Sequence, residues 1–149
     1  MNQEDKWLGV ILTLSEQPSF SCDISWDILN GRDNQHVLVR EIKSIQPYHE
    51  LIKKDWWEEI KPLIYREVIL SNSEIDPWLN QLQSIHIPVM ITKSPIGYDG
   101  VTYSLKFKDS SSSSQLTWWA DGPKEWHQIT EWYHNFKSWL QSELEVENP

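Results

Sequence analysis

A chain of 149 residues with 13 basic and 22 acidic side chains carries a formal charge of −9. That charge repels phosphate backbones and anionic lipid surfaces, so it argues against nucleic acid and membrane as partners and suits a basic protein. A single cysteine, Cys22, permits neither an intramolecular disulfide nor a multi-cysteine metal site.

Ten tryptophans, five tyrosines and three phenylalanines supply large apolar bodies, and this length suffices for one core. No internal repeat or linker divides the chain, so residues 1–149 are expected to form a single α+β domain. Met1 to Asp5 lacks the positive region of a secretory signal. The apolar run Leu8 to Leu14 falls short of the ~18 residues a membrane span needs. The expected address is the cytoplasm.

Trp7 to Leu14 is apolar and partly β-branched, which predicts a buried strand bounded by a turn at Ser15-Glu16-Gln17-Pro18. Phe20 to Ile28 alternates strictly and predicts a second strand, with Cys22 on its apolar phase as a small buried hydrophobe. After a polar turn from Asn30-Gly31 through Gln35, His36 to Ile42 reads as a third strand of an antiparallel meander.

From Pro47 to about Lys61, Ile52, Trp56 and Ile60 recur at helical spacing, and Pro62 closes the pattern. Leu63 to Leu70 is compatible with either a further helical piece or a strand. Asp76-Pro77 has the form of a cap followed by a first helical proline, which predicts a helix carrying Trp78, Leu79, Leu82 and Ile85 and ending near His86. Pro88 to Thr92 predicts a short apolar strand, and Lys93 to Gly100 a loop.

Val101, Tyr103, Leu105 and Phe107 alternate with polar residues, and Leu116 and Trp118 resume the pattern after Ser110 to Ser114. The expectation is a hairpin with a mobile, solvated serine tip. Asp121-Gly122-Pro123 then opens a last helix. Its eight large apolar residues from Trp126 to Leu144 occupy an arc of about 140° at ~100° per residue, the width of a helix laid on a sheet. The fold class is therefore α+β: a mainly antiparallel sheet of five or six strands with a C-terminal amphipathic helix packed on one face.

His127, Glu131 and His134 are separated by four and three residues on that helix. Imidazole and carboxylate at these offsets are the weak candidates for a metal. The same helical wheel sets them opposite the apolar arc and facing solvent, without supporting groups, so neither a metal nor a cofactor is expected. The zincin, serine-hydrolase and phosphate-loop patterns are absent, and five glycines build no Gly-x-Gly-x-x-Gly cradle. A catalytic carboxylate pair assembled in space leaves no trace in spacing.

Adjacent tryptophans at 56–57 and 118–119 diverge in direction on either element type, which puts one of each pair outside the main core. Trp57, Trp119 and Trp126 are accordingly the candidate binding residues, set against the alternative that Trp119 and Trp126 close the sheet edge on the helix.

Asp99-Gly100-x-x-Tyr103-x-Leu105, then Trp118-Trp119, then Pro123-x-x-Trp126 resembles the C-terminal unit of small uncharacterised bacterial proteins over the last third of the chain. The resemblance implies a hairpin closed by a helix and no transferable functional residue. Some proteins of this general look are accessory or immunity-like partners of toxins. Together these readings favour a non-enzymatic protein-binding role. The alternative is a small-ligand or carbohydrate module with an aromatic-lined cleft, extending to a hydrolase if two acids converge there.

Overall fold

The computed structural model describes residues 3–19, 21–44, 63–91, 97 and 100–148. Among them, β1 (Trp7–Pro18), β2 (Asp23–Gly31), β3 (His36–Ser44), β4 (Leu63–Ser71), β5 (Val101–Lys108) and β6 (Ser113–Trp119) form one sheet in the order β4-β3-β2-β1-β5-β6. Every neighbouring pair is antiparallel. Two helices, α1 (Asn72–Gln83) and α2 (His127–Glu147), pack on one face, α2 preceded by a short 3-10 turn at Lys124–Trp126. The α+β class, the antiparallel sheet and the covering C-terminal helix all follow the sequence pattern.

Register explains the core. Leu12 and Leu14 of β1 sit opposite Ile28 and Trp26 of β2 and opposite Phe107 and Leu105 of β5. Val37 and Val39 of β3 face Leu70 and Val68 of β4. These residues share one side of the pleat, and onto them α2 lays Ile129, Trp132, Tyr133, Phe136, Leu140 and Leu144, while α1 contributes Ile75. The Trp132 indole donates to the carbonyl of Trp78 at 3.0 Å, which locks the two helices together.

One charge lies inside this layer. Glu41 of β3 is fully buried. Its carboxylate accepts the Trp26 indole N–H at 2.9 Å and two guanidinium N–H groups of Arg66, each at 3.0 Å. All three side chains lie on the helix-bearing side and tie β2, β3 and β4 in one register.

Several boundaries differ from expectation. The predicted turn at Ser15 to Pro18 is strand, because Ser15 and Glu16 pair with both β2 and β5, and Gln17 and Pro18 continue the β5 ladder to the strand's end, where a missing N–H is tolerated. Cys22 is exposed rather than buried, since β2 pairing starts at Asp23 and the alternating phase ends with it. Leu63 to Leu70 is the strand alternative, with a register shift that makes room for Tyr65.

The first helix starts at Asn72, earlier than the Asp76 cap. Ser71 is the N-cap, and Glu74 reaches back to accept its backbone N–H at 2.8 Å, leaving Pro77 inside the helix. α1 ends at Gln83, short of His86. The predicted strand from Pro88 is absent from its described part: Pro88 to Ile91 makes no ladder, and Val89 and Met90 are 94% and 89% exposed.

At the hairpin tip Ser110 to Ser114 are exposed, as the solvated reading expects. Ser113 and Ser114 already belong to β6, and Asp109 closes the turn by accepting the backbone N–H groups of Ser111 and Ser112 at 2.8 and 2.7 Å. The predicted helix over 47–61 lies outside the described residues.

Candidate functional site

The helix-bearing side of the sheet is not filled evenly. Near the hairpin it carries a cleft of about 590 Å³. Leu12 of β1, Phe107 of β5 and Leu116 of β6 form its floor, and Leu79, Leu82 and Gln83 of α1 one wall. Ile129 of α2 and Trp126 close the inner end.

Three local features build this space. A register shift in β1 between Val10 and Leu12 breaks the alternation, so Ile11 and Leu12 both border the cleft. After α1 the chain passes Ile85 and Ile87 along the rim without regular secondary structure. The Trp126 indole donates to the Pro88 carbonyl at 3.0 Å, which holds that rim segment over the sheet. Trp126 therefore serves as both wall and tether, with its polar edge already used.

Among the described residues the walls hold no Asp, Glu, Lys, Arg or His, and their polar side chains are Gln83, Ser114 and Gln115. Such a lining can desolvate an uncharged apolar body. Val89 borders the cleft and Met90 follows it. Their near-complete exposure leaves two large apolar side chains in water at the lip.

A polar cluster lies elsewhere on the same side. Lys137 of α2 pairs with Glu16 of β1, and the Tyr133 hydroxyl donates to the Ser15 carbonyl at 2.9 Å. His134 stands edge-on to Tyr103, with ring centroids 4.9 Å apart. Burial, then the nearby Lys137 charge, pushes the His134 imidazole below its ordinary pKa, and burial with the Glu16 and Asp121 charges pushes the Tyr103 hydroxyl up. Burial likewise raises Tyr133. A neutral imidazole beside an ion pair has base character, but Glu16, Tyr103, His134 and Lys137 are not among the walls of the cleft or of the two smaller cavities near it and near β4.

The three metal candidates do not act together. His127 and Glu131 are exposed and 3.6 Å apart, whereas His134 packs against Tyr103 and is half-buried, correcting the expectation that it faces water. The departure arises because α2 lies so that Tyr103, a large β5 side chain, reaches past Tyr133 to the next helical position. Among the described residues no three His, Cys, Asp or Glu side chains form a metal-holding group.

Of the binding candidates, Trp57 lies outside the described residues. Trp119 packs edgewise on backbone: a Cβ at Gly97 would fall 2.1 Å, and one at Gly100 2.8 Å, from its ring. Its ring is therefore packed against Gly97 and Gly100. Trp126 lines the cleft and is buried to 8% exposure. Ile11, Leu82, Phe107, Val89 and Met90 were not singled out by sequence, since each also reads as an ordinary core residue. Compared with known protein families, with curated proteins and with solved structures, the chain finds no match in any of the three.

Proposed function

We propose that this chain is a non-enzymatic binding protein whose site is the apolar cleft, and that the cleft takes a small apolar molecule. The observation carrying this reading is a concavity of about 590 Å³ with no ionisable side chain among the described residues of its walls, within the ~300–1,000 Å³ typical of ligand pockets. The hydrolase version of this reading gains no support, because no acid among the described residues borders the cleft.

Titration with a neutral naphthalene derivative, followed through the Trp126 indole N–H signal in ¹H–¹⁵N spectra, tests it. Saturable one-site shifts at Trp126, Gln83 and Gln115, abolished in Leu82→Trp, are expected. Shifts scattered over the surface, or none, would refute the reading.

A protein-binding role, accessory or immunity-like, is the second reading, and it rests on Val89 and Met90 standing side by side at the lip. The charge of −9 favours a basic partner around that apolar contact. Met90→Asp, at a position outside the cleft lining, separates the two: it weakens capture by a protein partner and leaves naphthalene binding intact.

A further inference from the structure

The sheet has two edges, and they are protected differently. β4 carries the charges of Arg66 and Glu67, and its pairing with β3 contains a register shift. Asn148, at the end of α2, donates its side-chain amide to the Glu67 carbonyl at 3.1 Å. Charge, irregularity and a covered main chain are devices that keep an edge strand from pairing further. Among the described residues β6, the other edge, has none of them. Ser113 to Trp119 contains neither a charged residue nor a proline, and it pairs with β5 without a register shift.

The hydrogen-bond phase of that edge is fixed. Ala120 donates its N–H to the Val101 carbonyl at 2.9 Å, and Asp109 donates to the Ser112 carbonyl at 3.0 Å, at opposite ends of the β5–β6 ladder. Ser114, Leu116 and Trp118 share this phase and bond to β5, so the N–H and C=O groups of Ser113, Gln115 and Thr117 point away from the sheet. All three residues are exposed, and among the described residues no backbone hydrogen bond reaches them. The same stretch borders the apolar cleft through Ser114, Gln115 and Leu116, and Val89 borders it too.

From this juxtaposition we infer that β6 docks an extended segment of a partner protein as an added antiparallel strand, with apolar side chains at alternate positions turned toward the cleft. The inference rests on the protein-binding reading and gives the partner its form. Main-chain pairing with Gln115 and Thr117 supplies affinity, and the apolar concavity beside them selects the alternating side chains. A partner side chain opposite Leu116 lies ~4.5–5.5 Å from it between Cβ atoms, in contact with the cleft floor. Two copies of this chain, each with a charge of −9, repel one another, whereas a segment flanked by basic residues is attracted.

The probe is a blocked peptide in which threonine and valine alternate over 7 residues, the length of β6, with a lysine at each end. Its binding to the full chain is read by calorimetry and by amide hydrogen exchange. Expected are one-site binding and slowed exchange at Gln115 and Thr117. Valines on the Leu116 side direct the threonine N–H groups toward β6. N-methylation of the threonines should therefore abolish binding, and N-methylation of the valines should spare it. Thr117→Pro removes one outward N–H without breaking the β5 ladder, a place where an edge strand tolerates proline. It should weaken the peptide at least about tenfold and leave naphthalene binding intact.

No peptide binding, or equal loss on methylating either set, overturns the inference and leaves the small-molecule reading to the naphthalene titration. Loss of peptide affinity in Met90→Asp with none in Thr117→Pro keeps a protein-binding surface and overturns the added strand. Self-association of the free chain that Thr117→Pro abolishes gives the edge to a second copy and overturns it as well. If Thr117→Pro also loses naphthalene binding, the two methylated peptides decide alone.

Discussion

Arg66→Met probes the buried charge at the centre of the sheet. Glu41 is fully enclosed, and Arg66 supplies two of the three hydrogen bonds its carboxylate receives. Removing the guanidinium leaves an anion in the core with only the Trp26 indole as donor. Breaking such a pair costs about 3–5 kcal/mol. Arg66 keeps 18% of its side chain in contact with solvent, so water can approach the vacated carboxylate, and the expected loss is at the lower end, about 3 kcal/mol.

For a domain of this size that corresponds to a fall in Tm of roughly 6–12 °C. In urea the midpoint should drop with the slope unchanged. The double substitution Glu41→Leu with Arg66→Met should recover part of the loss, because it removes the charge and its partner together and strands only the neutral Trp26 N–H, at about 1 kcal/mol the low end of the cost of an unpaired buried donor. A loss below about 1 kcal/mol in Arg66→Met, or a double variant no more stable than the single one, would refute the account of Glu41 as a charge that depends on its partner.

Three further outcomes are expected. Gly122 sits at φ 71° with its Cα hydrogen facing the Trp118 ring, where an added Cβ would meet the ring at 3.1 Å. Gly122→Ala should therefore cost about 1–2 kcal/mol from the left-handed backbone alone, read by urea unfolding; an unchanged midpoint would contradict the turn geometry.

Burial lowers the folded His134 pKa below its ordinary value near 6.5. The unfolded chain then binds the extra proton first, so this contribution is complete above pH 6.5 and declines as pH falls from there toward the folded pKa. His134→Phe should flatten the stability profile over that window, and an unaltered slope would count against the packed, neutral imidazole.

The Asp33 carboxylate accepts the backbone N–H groups of Gln35 and His36 and contacts the His36 ring, with the Gln35 N–H the leading cause of its pKa of about 2. A ¹³C carboxyl titration should show it ionised down to about pH 2, stabilising the β2–β3 turn above its unfolded pKa and losing that effect on further acidification. A midpoint near 4 would rule out the capped turn.

Period-2 alternation at Val101 to Phe107 and the helical stripe from Trp126 to Leu144 were sufficient in the sequence to specify β5, α2 and their packing, because a buried face must repeat with the element's own geometry. The charge and the lone cysteine likewise needed no structure. Composition could not distinguish Pro88 to Ile91 as a rim segment from a strand, since an apolar run looks alike whether it pairs or stands at a lip. Nor could it foresee Glu41 inside the core, a position stable only because Trp26 and Arg66, 15 and 25 residues away, converge on it.

The cleft belongs wholly to this second kind. Its floor comes from β1, β5 and β6 and its rim from the chain after α1, segments distant in sequence that no local pattern relates. A site made by the meeting of separate elements exists only once the sheet has set their register, so tertiary structure alone decided where Trp126, Phe107 and Ile11 would stand together.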